Sequence, residues 1–234
     1  MVAMTGGMAL ALSMALAPVT RAHAQPQAHA AVPSGMQAQV PARYAASRQR
    51  LLVLGDSLSA EYGLERGSGW VALLDKRLAE RRLDAAVANA SISGDTTSGG
   101  LARLQPLLER YKPTLVVIEL GGNDALRGLS LPTMQSNLQA MVRASKAAGA
   151  KVLLVGMQIP PNYGRKFAED FAAVYAKVAQ EEKVPLVPFF LAGVADVADP
   201  TAQFQADRIH PVASAHPRML ENVWAQLAPM LGRG

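Results

Sequence analysis

The stretch Leu51-Leu52-Val53-Leu54-Gly55-Asp56-Ser57 decides the architecture. Its apolar run is too short for a buried helix and suits a strand covered on both faces. A polar, glycine-bearing turn ends the run. Downstream, Trp70, Leu73, Leu74, Arg77, Leu78 and Arg81 fall at helical spacing, with the arginines at the edge of the apolar stripe. A strand, a polar turn and an amphipathic helix form the first half of a βαβ unit.

The same grammar repeats along the chain. Apolar runs at Ala85–Asn89, Leu115–Leu120, Val152–Val155 and Val184–Val187 supply four more strands. Helical stripes separate them: Leu101, Leu104, Leu107 and Leu108; then Leu138, Met141, Val142 and Ser145; then Phe167, Phe171, Val174 and Val178. A last helix carries Met219, Leu220, Val223, Trp224 and Leu227. Trp70 and Trp224 both sit at core spacing. The pattern predicts an α/β fold: a three-layer α/β/α sandwich around a five-stranded parallel sheet. In such sheets ligands bind beyond the carboxyl ends of the strands. The polar segments after the first three strands therefore converge on one edge.

Composition narrows the chemistry. The chain has 234 residues, 50% hydrophobic and 18% charged, which suits one globular domain plus an extension. It contains no cysteine, so disulfides, thiolate metal sites and a cysteine nucleophile are excluded. The formal charge of +5 is scattered among acids and aromatics make up 5%, so no nucleic-acid partner is expected. Met4 to Thr20 is apolar or small, and Ala22-His23-Ala24 precedes Gln25. Residues 1–24 thus read as a signal peptide cleaved near Ala24, although no basic residue precedes the apolar run. Pro18 and the shortness of the run argue against a membrane span. Residues 25–48, rich in Ala, Gln and Pro, read as a flexible linker, and 49–234 as the folded domain.

Four segments carry candidate chemistry. Ser57, at a turn after the first strand, can expose its hydroxyl near backbone N–H groups, although a helix N-cap serine would look the same. Asp207-Arg208-Ile209-His210-Pro211 offers a base: histidine titrates near neutrality, and an aspartate three residues earlier can hold its tautomer. Gly94 and Asn123, after strands two and three, could donate to a developing oxyanion. His216 and Glu221 lie near His210, but three zinc ligands at a recognisable spacing are missing, and no metal is expected.

Together these segments resemble the SGNH (GDSL-type) hydrolases. Gly55-Asp56-Ser57-Leu58-Ser59, Ser93-Gly94-Asp95, Gly121-Gly122-Asn123-Asp124 and Asp207–Pro211 match that family's blocks in order, from about Leu51 to the C-terminus. Asn89–Thr96, Glu119–Asp124 and Pro160–Arg165 are most similar to the bacterial thioesterase I/lysophospholipase/arylesterase branch. The resemblance implies a flavodoxin-like fold and a catalytic triad of Ser57, Asp207 and His210. It also implies an oxyanion hole of Ser57, Gly94 and Asn123.

A cofactor-free periplasmic or secreted enzyme would follow, acting as a monomer on small acyl esters or thioesters, lysophospholipid included. Glu61 departs from the branch, which usually has a small residue there. It could line the entrance or face solvent at a helix start. Ile159, Pro160 and Tyr163, after strand four, are candidates for an acyl-chain wall. Two other readings stay open: a deacetylase of polysaccharide or cell-wall O-acetyl groups, and a non-catalytic envelope-binding protein on the same fold.

Overall fold

The structure, a computed structural model, describes residues 40–232. The signal peptide and most of the linker expected from the sequence lie outside the described residues. Helix α1 (Ala42–Ala46) comes first, followed by β1 (Gln49–Gly55), α2 (Trp70–Glu80), β2 (Ala85–Asn89), α3 (Thr97–Tyr111) and β3 (Leu115–Glu119). Then come α4 (Gly122–Leu126), α5 (Leu131–Ala147), β4 (Lys151–Val155), α6 (Arg165–Glu182), β5 (Leu186–Val187) and α7 (His216–Leu227). All strands pair parallel in the order β2-β1-β3-β4-β5. Leu51, Leu52, Val53 and Leu54 are fully buried, as are Leu115 to Ile118, because helices cover both faces of the sheet.

Right-handed crossovers put α2 on one face and α3, α5 and α6 on the other. Helices α3, α5 and α6 pack side by side, and α7 packs on α2. This is the expected three-layer sandwich. Its strand order reverses between β1 and β3, which opens a crevice at the carboxyl edge where their loops part. Strand β5 is shorter than the run Val184–Val187 suggested. Pro185 has no N–H to give the ladder, and Pro188 follows at once.

The linker expectation needs correction at its end. Ala42–Ala46 is helical, and Tyr44 is 1% exposed and stacks edge-on against Tyr111 at 5.6 Å. Arg43 pairs with Asp75 of α2 at 2.7 Å. The ordered domain thus begins before residue 49, because an aromatic anchor holds this segment to the core. Trp224 packs against the core from its rim. Trp70 is fully buried, but Trp224 is only half-buried, with the guanidinium groups of Arg77 and Arg81 5.3 and 5.0 Å from its ring centroid. The arginines at the stripe's edge cap that indole. No helix among the described residues is long and apolar enough to cross a membrane.

Candidate active site

Strand β1 delivers Gly55, Asp56 and Ser57 to the crevice. Gly55 is required by close approach: a Cβ there would lie 2.7 Å from Ser59 Oγ and 2.9 Å from Glu119 Oε2. The backbone then turns, with Ala60 N–H donating to Asp56 O at 3.0 Å, and leaves the Ser57 side chain half-exposed. His210 Nε2 stands 2.9 Å from Ser57 Oγ, across 153 residues of sequence. On its other side, His210 Nδ1 lies 2.6 Å from Asp207 Oδ2.

Asp207 is fixed by its own loop. Its Oδ1 accepts the backbone N–H groups of Ile209 at 2.9 Å and His210 at 3.0 Å. Arg208 takes up the left-handed turn this requires, with φ of 57°. The His210 N–H, helped by that of Ile209 and by the imidazole, holds the carboxyl down at about 2 against a smaller desolvation effect. Asp207 is therefore an anion at any ordinary pH. It accepts from His210 Nδ1–H, which leaves Nε2 with a lone pair facing Ser57.

Asn123 enters from the first turn of α4. Its Nδ2 donates to Asp56 Oδ2 at 3.0 Å, which fixes the amide plane next to the nucleophile's loop. Asp56 is 2% exposed, and its Oδ1 accepts from Leu58 N–H at 3.0 Å. Burial pushes its carboxyl up to about 6, against those two hydrogen bonds. Behind it lies a second buried acid. Glu119 Oε2 accepts from Ser59 Oγ at 2.7 Å, and Ser59 Oγ accepts from Trp70 Nε1–H at 3.1 Å. Burial, reinforced by the Asp56 charge, pushes Glu119 well above the usual carboxylate range. A polar spine thus runs from the core indole through Ser59 to Glu119, next to the Asp56–Asn123 pair.

Gly94 lies in the turn after β2 with φ of 79°, a left-handed conformation that suits glycine. Arg127, just after α4, donates to Gly94 O at 2.8 Å and so ties the loops of β2 and β3 together. Arg103 holds the same loop from α3, pairing with Asp95 at 2.7 Å and donating to the carbonyls of Ala90 and Gly55.

The structure thus brings together Ser57, His210 and Asp207, and sets Asn123 on Asp56. The substrate-binding expectations fare differently. Glu61 is half-buried at the start of α2. Its Oε1 accepts from Gly67 N–H at 3.0 Å and Gly69 N–H at 2.9 Å, which staples its own loop to the start of α2. Ile159 is half-buried against the core. Pro160 and Tyr163 are exposed, and no hydrogen bond or ring contact joins them to Ser57 or His210.

Tyr62 and Gln205 escaped the sequence reading, and His216 entered it only as an unsupported metal ligand. The Tyr62 ring lies 4.3 Å from the His210 ring, tilted by 38°. Gln205 Nε2 donates to Tyr62 O at 2.9 Å and to Pro211 O at 3.2 Å, joining the loops that carry Ser57 and His210. His216, 2% exposed, accepts from Trp70 N–H at 3.0 Å and so joins the starts of α2 and α7. Burial lowers its basicity, so it serves as a neutral acceptor. Glu119, in the spine behind Asp56, did leave a signal in the sequence, as an acid inside an apolar run. Among the described residues, no cluster of three or more His, Asp or Glu gathers as it would around a metal.

Residues 53–218 match the GDSL-like lipase/acylhydrolase family. The chain belongs to that family. Within this acylhydrolase family, the chain is 56% identical over 198 residues to the esterase TesA of Pseudomonas aeruginosa, covering 85% of this chain and 97% of the relative. It is 42% identical over 187 residues to thioesterase 1/protease 1/lysophospholipase L1 of Escherichia coli K12, covering 80% and 87%. Among acylhydrolases of known structure, the psychrotrophic esterase EstA of Pseudoalteromonas superposes with a TM-score of 0.72 at 40% identity, covering 78% of this chain and 98% of EstA. That EstA structure is inhibited by monoethylphosphonate.

Proposed function

We propose that this acylhydrolase cleaves acyl esters and thioesters through an acyl-serine intermediate. The observation that carries the reading is the unbroken line from Asp207 Oδ2 through the His210 ring to Ser57 Oγ, with gaps of 2.6 and 2.9 Å. His210 takes the Ser57 proton as the oxygen attacks the acyl carbonyl. The N–H groups of Ser57 and Gly94 and the amide of Asn123 hold the oxyanion. The leaving alcohol or thiol takes the proton back from His210, and water repeats the sequence to free the acid. No step calls for a cofactor. Relatives named esterase and thioesterase support both leaving-group classes.

Every group in this scheme comes from one chain, so activity does not require a second copy; we read the protein as a monomer. The apolar segment before Gln25 supports export to the periplasm or medium. Amino-terminal sequencing of protein from the native host is expected to begin near Gln25. The central test compares wild type and Ser57→Ala on short- and long-chain p-nitrophenyl esters and palmitoyl-CoA, alongside labelling by a fluorophosphonate. Hydrolysis and labelling by wild type alone are expected. An inert, unlabelled wild type would return the envelope-binding reading to the front.

A further inference from the structure

Among the described residues the exposed large apolar side chains are Tyr62, Ile92, Leu126, Leu129, Tyr163, Val197 and Ile209, at 40 to 53% exposure. Their distribution is one-sided. Tyr62 follows β1, Ile92 follows β2, Leu126 and Leu129 follow β3, Tyr163 follows β4, and Val197 and Ile209 follow β5. Every one therefore lies on a segment at the carboxyl edge of the sheet. The segments at the opposite edge, 81–84, 112–114, 148–150 and 183–185, hold none. Single exposed apolar residues are ordinary on a protein surface. Confining all of them to the edge that carries Ser57 is not what scatter would give.

These side chains serve a surface better than a slot. A single acyl chain leaves its ester in one direction. Here the apolar residues stand on both sides of Ser57, from the β2 loop to the β5 loop. Four strand spacings of about 4.8 Å put the outermost loops roughly 19 Å apart. Two of the seven are tyrosines, whose ring and hydroxyl suit a water–lipid boundary. Charge selects the kind of surface. On the same segments the exposed cations Arg66, Arg127 and Arg208 are offset by the exposed acids Glu65, Asp196, Asp199 and Asp207. A protein drawn to anionic headgroups would show a basic excess there; this edge shows none.

We propose that the carboxyl edge is an interfacial docking face, which seats the enzyme on uncharged or zwitterionic lipid aggregates with Ser57 turned toward them. The proposal rests on the esterase reading and deepens it: the preferred substrate is an acyl ester presented at a lipid–water boundary rather than free in solution. Shallow insertion of side chains from several loops would stabilise the docked state through burial of apolar area, largely independent of salt.

The test uses the full mature chain and phosphatidylcholine vesicles, with phosphatidylglycerol vesicles as the charge control. Ser57→Ala protein is expected to float with phosphatidylcholine vesicles at both low and high salt. The double variant Leu129→Ser/Val197→Ser, with an unchanged Tm, is expected to partition about tenfold less. Its turnover of a long-chain p-nitrophenyl ester in mixed micelles is expected to fall by a similar factor. Its turnover of dissolved p-nitrophenyl acetate should stay unchanged. No partitioning onto phosphatidylcholine, binding to phosphatidylglycerol alone that salt abolishes, or a double variant that partitions like wild type would each overturn the proposal. Hydrolysis of dissolved p-nitrophenyl acetate by wild type reports separately on the esterase reading, so the two can fail independently.

Discussion

Asn123 and Asp56 form a hydrogen-bonded pair in which, on the proposed mechanism, Asn123 donates to the oxyanion and Asp56 aims it. Removing one oxyanion donor from an acyl-transfer site typically lowers kcat by about 10²–10³. Asn123→Ala is expected to show a loss of that size with KM little changed, measured on a short-chain p-nitrophenyl ester. Asp56→Ala leaves the Asn123 amide unheld, and a smaller fall in kcat should follow, partly restored by Asp56→Asn, whose carbonyl can still accept. Asp56 also makes a prediction about stability. Its folded-state carboxyl titrates near 6, above the ordinary value of about 3.9. Between those values the folded protein holds the extra proton, so the Asp56 contribution is full below about 4 and is lost as pH rises through 6. Urea denaturation at pH 4 and 7 should therefore show Asp56→Asn gaining on wild type at the higher pH. An unchanged difference would mean that Asp56 is ionised throughout that range.

At the scale of elements, the helix α1 is the sharpest lesson. Its five residues lack a side-chain cap and come from an alanine-rich stretch, so nothing local distinguishes them from linker. What fixes them is Tyr44 in its tertiary niche, which no periodicity reports. Tyr44→Ala is expected to cost about 3–5 kcal/mol in chemical denaturation, as for other buried aromatics. The Tyr44 hydroxyl is buried with no hydrogen-bond partner among the described residues, so Tyr44→Phe should melt at the same temperature or higher. The strands and long helices were legible because continuous apolar runs and 3.6-residue stripes are imposed by burial itself. Ser57, His210, Asp207 and Asn123 were legible as residue types near strand ends; the fold sets the first three in a hydrogen-bonded line and Asn123 on Asp56. The spine of Trp70, Ser59 and Glu119 was not, since its links join separate elements. Glu61 shows the converse. It was conspicuous in the sequence, yet its contacts are those of a loop staple.

For the whole molecule, the two ends of the domain meet at the site. Ser57 follows the first strand and His210 precedes the last helix, so the nucleophile and its base are joined only when the intervening sheet is complete. Contacts across such separations form late, because the chain must close a long loop before they reward it. In a refolding experiment, recovery of secondary structure by circular dichroism should precede recovery of fluorophosphonate labelling at Ser57. Simultaneous recovery would show that the β1 and α7 regions dock as early as local helices form. The consequence reaches synthesis as well. A ribosome releases the serine some 150 residues before the histidine that arms it. In the proposed mechanism, a chain made only as far as a point between them holds a nucleophile without a base, and hydrolytic power arrives only as proof that the fold has closed.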